Sequence, residues 1–98
     1  METKFKFIEE DGTKCKNELV VYALSTCGFC HRALKFLKEH SFKFKYVYYD
    51  ELEPEVQEQI EKQLRDQFNR SLSFPFLVID CKRFLIGFNQ DKWEEELL

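Results

Sequence analysis

Apolar and polar positions follow one another in blocks along this chain, and each block carries the period of one element. Residues 19–24 form an unbroken apolar run, short enough for a strand buried on both faces. The run meets Ser25, Thr26 and Cys27, and the spacing then turns helical. Ala33, Leu34 and Leu37 fall on one face, with Arg32, Lys35 and Lys38 elsewhere. His40 and Ser41 close that helix. From Phe42 to Tyr46 aromatic residues alternate with lysine and continue into Val47, Tyr48 and Tyr49, a second strand with one wetter face. Pro54 stands where a first helical turn tolerates proline. Val56, Ile60, Leu64 and Phe68 then recur every four residues through charged sequence, which predicts a second helix. Pro75 opens a third strand over residues 76–79, and a tight turn at 80–83 leads into a fourth over 84–88. That pair reads as an antiparallel hairpin. Residues 91–98 predict a last helix through Trp93 and Leu97.

The order β-α-β-α-β-β-α fits an α/β domain. Its first two strands need a parallel, right-handed crossover. The expected result is a mixed four-stranded sheet with helices on both faces, a three-layer sandwich. Residues 3–8 alternate Lys4 and Lys6 with Phe5 and Phe7 and end in a turn at Asp11 and Gly12. They predict either an extra N-terminal edge strand or an ordered arm. The chain divides accordingly into an arm, 1–16, and a domain, 17–98.

Composition narrows the function. Ninety-eight residues suit one domain, and 44% hydrophobic content with eleven Phe fills a small core while leaving a few rings for a binding surface. A net charge of −3 argues against nucleic acid, whose binding needs clustered positive charge. No segment approaches the ~20 continuous apolar residues of a membrane span. Residues 1–10 show no basic-then-apolar leader pattern. The expectation is a cytoplasmic protein, in a compartment that keeps thiols reduced. The four cysteines then point to catalysis or metal binding before a structural disulfide framework.

Cys27 and Cys30 are spaced C-x-x-C at the predicted junction of strand and helix. A thiolate, not a thiol, is the nucleophile, and the free amides and dipole at a helix N-terminus stabilise that anion. Cys27 precedes the first turn and faces solvent, which assigns it attack on a substrate disulfide. Cys30, sheltered within the turn, then resolves the mixed disulfide and leaves an internal disulfide. Gly28 lets another backbone approach, and Phe29 offers an apolar rim. Other readings compete. With His31 the motif also spells the haem-attachment pattern C-x-x-C-H, yet the only Met is Met1 and a buried strand runs straight into the motif. Zinc would need two more ligands from Cys15, Cys81, His31 and His40, and no second close pair exists. The two thiols could also merely pack. His31 reads as a solvated first-turn residue.

Thr26-Cys27-Gly28-Phe29-Cys30, preceded by Val-Tyr-Ala-Leu, resembles the active-site segment of glutaredoxins, members of the thioredoxin superfamily. Ser73-Phe74-Pro75 and Gly87 match further elements in order and spacing, so the resemblance covers residues 18–98. It implies a thioredoxin-like fold, a cis Phe74–Pro75 bond facing the thiols, and thiol–disulfide oxidoreductase activity on protein disulfides. It also implies a substrate groove formed by Thr26, Gly28, Phe29, Ser73, Phe74, Pro75, Gly87, Phe88 and Asp91. Two positions depart from the glutathione-using pattern. Leu24 replaces the usual Lys, and Phe88 replaces the second Gly of a Gly-Gly pair. Loss of a cation and gain of a ring weaken binding of a small anionic peptide, so glutathione is disfavoured. The Gly-Phe ending is more like glutaredoxin-like hydrogen donors served by a flavoprotein or ferredoxin-linked disulfide reductase. No cofactor beyond the Cys27–Cys30 disulfide, no resident metal and a monomeric state are expected. An adaptor holding a metal or iron–sulfur group through its thiols is the alternative. Cys81 is expected exposed in the hairpin turn, and neither it nor Cys15 receives a role.

Overall fold

In the computed structural model, which describes residues 6–98, the chain runs β1 (Ile8–Glu10), β2 (Leu19–Ala23), α1 (Gly28–Glu39), β3 (Phe44–Tyr48), a 3-10 turn (Tyr49–Glu51), α2 (Pro54–Phe68), β4 (Phe76–Ile79), β5 (Arg83–Ile86) and α3 (Gln90–Leu97). One five-stranded sheet has the order β1-β3-β2-β4-β5. The β2–β3 pair is parallel, with α1 as its crossover, and the other pairs are antiparallel.

Strand alternation decides which helix covers which face. Leu19, Val21 and Ala23 of β2 point with Leu77 and Ile79 of β4 to one side, where α1 and Trp93 of α3 cover them. Val20, Tyr22, Phe76 and Val78 point to the other, against Val56, Ile60 and Leu64 of α2. Every residue of β2 and β4 is buried, which is why both read as unbroken apolar runs. Burying one such side chain contributes about 1.5–3 kcal/mol, so these two strands anchor both cores. The three layers follow from this division.

The sheet has one strand more than the four expected. An N-terminal edge strand is present, but it runs Ile8–Glu10 and shares only Ile8 with the alternation over 3–8; Lys6 and Phe7 precede it, and residues 3–5 lie outside the described residues. Ile8 pairs with Tyr46 and Glu10 with Phe44. Charge on an edge strand guards against pairing with other chains, and it also hides the strand from an apolar pattern. Further on, the Lys14 N–H donates to Ser41 O at 2.9 Å and the Lys43 N–H to Lys14 O at 2.9 Å.

The second predicted strand is shorter than 42–49. Ser41 takes a left-handed φ of 62°, and the Phe42 N–H still donates to Leu37 O at 3.0 Å, so Phe42 belongs to the helix exit. Tyr49 has already left the sheet in the 3-10 turn. The fourth predicted strand ends at Ile86 because Gly87, at φ 76°, turns the chain. In the β4–β5 turn Asp80 and Cys81 are both left-handed, at 55° and 59°. Mirror-image hairpin turns have this conformation. The Asp80 carboxylate accepts the Glu18 N–H at 2.7 Å and the Asn17 amide at 2.6 Å. Those bonds hold its carboxyl below the ordinary range and offset the unfavourable φ. Among the described residues, no helix is long and apolar enough to cross a membrane.

Candidate active site

The C-terminal end of β2, the start of β4 and the end of β5 lie at the same end of the sheet. Tyr22 pairs with Phe76 and Phe76 with Ile86. The Gly87 N–H, donating to Pro75 O at 2.8 Å, carries the ladder one rung beyond. The chain leaving β2 enters α1 here, so its first turn stands over this end.

Cys27 is the N-cap of α1. Its backbone is extended at φ −92°, ψ 118°, and its sulfur accepts the Cys30 N–H at 3.2 Å. The sulfur thus does what a Ser or Asp oxygen does at ordinary N-caps. The Cys27 N–H donates back to Leu24 O at 3.2 Å, and the residue is partly exposed. Cys30, one turn in, is 0% exposed and packs within the α1 core. Its sulfur accepts the Leu24 N–H at 3.4 Å. Burial, and next its thiol's hydrogen bond to Cys27, push the Cys30 thiol up to about 12; the Leu24 N–H opposes them. One sulfur therefore meets solvent while the other stays protonated beneath it.

Two residues without a role in the site by sequence alone, Asp50 and His31, hold the segment between strand and helix at Ser25. Asp50, in the 3-10 turn, accepts the Ser25 N–H at 2.8 Å with one oxygen and the Ser25 hydroxyl with the other. These bonds hold its carboxyl below the ordinary carboxylate range. His31 is exposed as expected, and its Nε2 is also 2.6 Å from Ser25 O, where an N–H donates. All three polar groups of Ser25 are thus engaged. The only sequence signal was an Asp just past a strand, too common to single out.

The residues implied by resemblance fall as follows. Thr26, Gly28 and Phe29 are exposed around Cys27. A Cβ on Gly28 would meet nothing within 4 Å, so the space beside it is open. The Phe74–Pro75 bond is cis; Pro75 is buried, and the Phe74 ring lies tilted 5.1 Å from that of Tyr49. Leu24, Cys27, Phe74 and Phe88 all pack against the same core cluster. Phe88 turns inward, 5.7 Å from Phe36 and 5.0 Å from Trp93, whose indole N–H donates to Gly87 O at 3.1 Å. Ser73 and Asp91 are exposed, Asp91 in the first turn of α3. Cys81 lies in the β4–β5 turn, at the other end of β4, where its thiol donates to Glu18. Among the described residues no group of three or more His, Cys, Asp or Glu side chains is arranged to hold a metal ion.

A mixed sheet between helix layers, with a C-x-x-C opening the first crossover helix and a cis proline opening the neighbouring strand, defines a thioredoxin-like dithiol protein. The glutaredoxin family model matches residues 19–84, and the chain belongs to the glutaredoxin family. Among solved structures it is similar to methanoredoxin of Methanosarcina acetivorans, at 31% identity over 98% of each chain with a TM-score of 0.83. A glutaredoxin from Methanosarcina mazei is 28% identical over 97% of this chain and 90% of its own, TM-score 0.80. One from Archaeoglobus fulgidus is 31% identical over 82% and 85%, TM-score 0.71. A search of curated protein sequences finds no match. Family and fold together support a thiol–disulfide oxidoreductase.

Proposed function

We propose that this protein reduces protein disulfides by a dithiol mechanism in which Cys27 attacks and Cys30 resolves. The observation that carries the reading is the split environment of the two sulfurs: Cys27 partly exposed at the helix N-cap, Cys30 buried behind it. The Cys27 thiolate attacks one sulfur of the substrate disulfide. A Cys27–substrate bond forms, and the other substrate sulfur departs as a thiolate and takes up a proton. Cys30 then attacks the Cys27 sulfur and gives up its proton as the substrate's remaining sulfur leaves as a thiol. The substrate gains two electrons and the protein retains a Cys27–Cys30 disulfide. Thr26, Gly28, Phe29, Ser73, Phe74 and Pro75 form the groove for an extended substrate segment, with Gly87, Phe88 and Asp91 at its far side.

A protein disulfide reductase, flavoprotein or ferredoxin-linked, restores the dithiol. Leu24, half-buried against the core, offers no cation to a glutathione carboxylate, which favours a protein donor. Cys27→Ser is expected to abolish insulin disulfide reduction, and Cys30→Ser to accumulate mixed disulfides that resolve only with added thiol. Normal turnover by Cys30→Ser would overturn the dithiol mechanism. For the donor, efficient turnover with glutathione and glutathione reductase, and none with thioredoxin-type reductases, would overturn that assignment.

A further inference from the structure

Charge is unevenly divided among the helices. Helix α1 carries Arg32, Lys35 and Lys38 against Glu39 alone, while α3 carries Asp91, Glu94, Glu95 and Glu96 against Lys92 alone. Helix α2 sets Glu55, Glu58, Glu61 and Asp66 against Lys62 and Arg65. The helix that bears the attacking sulfur is thus the basic one in an acidic protein.

On that helix Phe29 is 58% exposed, a large ring left in water beside Cys27. The Arg32 guanidinium stands over it, 5.4 Å from the ring centroid. Lys38 pairs with Glu10 at 3.6 Å and Lys35 reaches Glu39 only at 4.0 Å. Arg32 has no carboxylate partner among the described residues. Asp50, the acid bonded to the segment before Cys27, has both oxygens taken by Ser25. Phe29, Arg32 and Lys35 follow at three-residue intervals, so they share one face. A guanidinium stacked on a ring is weakly hydrated and keeps its fork free for a carboxylate.

We propose that this face of α1 docks a substrate segment whose disulfide is flanked by acidic side chains and an apolar one. Phe29 packs on the apolar side chain beside that disulfide, and Arg32 pairs with a neighbouring carboxylate. Lys35 extends the positive field one turn further. The proposal rests on the dithiol reading above and names the class of partner it serves. Complementary charge of this kind acts mainly on the rate of encounter and on the choice of partner.

The test is the second-order rate at which the pre-reduced protein is oxidised by disulfide peptides, each with a Leu beside the disulfide, one flanked by Asp and Glu and one by Lys and Arg. A small neutral disulfide serves as the reference. The acidic peptide is expected to react about tenfold faster than the basic one at low salt, with the gap closing at high salt. The double variant Arg32→Glu, Lys35→Glu is expected to reverse that order when each peptide's rate is divided by that of the neutral disulfide, which removes any common change in Cys27 reactivity. Phe29→Ala is expected to slow the acidic peptide more than the neutral disulfide. Equal rates for the two peptides, or no reversal in the double variant, overturn the proposal; equal losses in Phe29→Ala overturn the apolar contact of its ring. Failure of all three disulfides to oxidise the protein would instead overturn the dithiol reading.

Discussion

Cys30 illustrates how one position changes the chemistry of a residue type. It and Cys27 belong to the same helical turn, yet Cys30 lies in the core cluster under α1 and burial pushes its thiol from 9.0 to about 12. Below pH 9 both folded and unfolded chains keep that thiol protonated. Between 9 and about 12 only the unfolded chain ionises it, so folding stability is lost as pH rises through this window. Tyr22, raised by burial from 10.0 to about 12, adds loss of the same sign from pH 10 upward. Denaturant midpoints of the reduced protein are expected to fall between pH 8.5 and 10, and to fall less in Cys30→Ser, since serine does not ionise. Equal slopes in the two proteins would contradict this account. Spacing alone made the pair legible in the sequence. The shelter of Cys30 was legible from its place inside the first helical turn; its full burial came with the packing of α1 on the sheet.

Among the elements, the 3-10 turn after β3 matters most to the site and was the least legible. Its Asp50 holds Ser25 from a position twenty-five residues away in sequence, a contact no local pattern contains. The parallel β2–β3 crossover brings the two strand ends side by side, Ala23 against Tyr48, and so creates it. Asp50→Ala is expected to loosen the approach to Cys27 and lower the rate of disulfide reduction about tenfold, with Asp50→Asn, which keeps one acceptor, between it and the parent. A matching fall in both variants would count against positioning. At the other rim, Trp93 donates to Gly87 O and closes the turn after β5 onto α3. Trp93→Phe leaves that carbonyl without its partner and is expected to cost about 1–3 kcal/mol in chemical denaturation. Trp93 was legible as an anchor of the last helix; its hydrogen bond was not, because it depends on the left-handed φ of Gly87.

Across the whole molecule, the N-terminal segment is part of the architecture. β1 completes the sheet at the β3 edge, and Gly12 passes so close to Ser41 and Phe42 that a Cβ would stand 2.4 Å from their backbone atoms. Backbone cannot swing aside as a side-chain tip can. Gly12→Ala is therefore expected to cost about 1–3 kcal/mol and to speed amide hydrogen exchange in β3, read by mass spectrometry. Unchanged exchange in β3 would show that β1 stays paired despite the clash. Alternation near this end falls on Lys and Phe of residues 3–8, whereas the paired residues are Ile8, Glu9 and Glu10. An edge strand is defined by its neighbour, and its own residues need not be apolar.

The linear sequence was sufficient for four of the five strands, the three helices, their order and the position of the thiol pair. Periods of 2 and 3.6, proline and glycine punctuation and C-x-x-C spacing are all local properties of the chain. Contacts between distant segments awaited the fold: the β1 edge, the Asp50 hold on Ser25, and the inward turn of Phe88 between Phe36 and Trp93. Each joins residues that share no local pattern, and their proximity is set by strand register and helix packing, which exist only once the sheet has assembled.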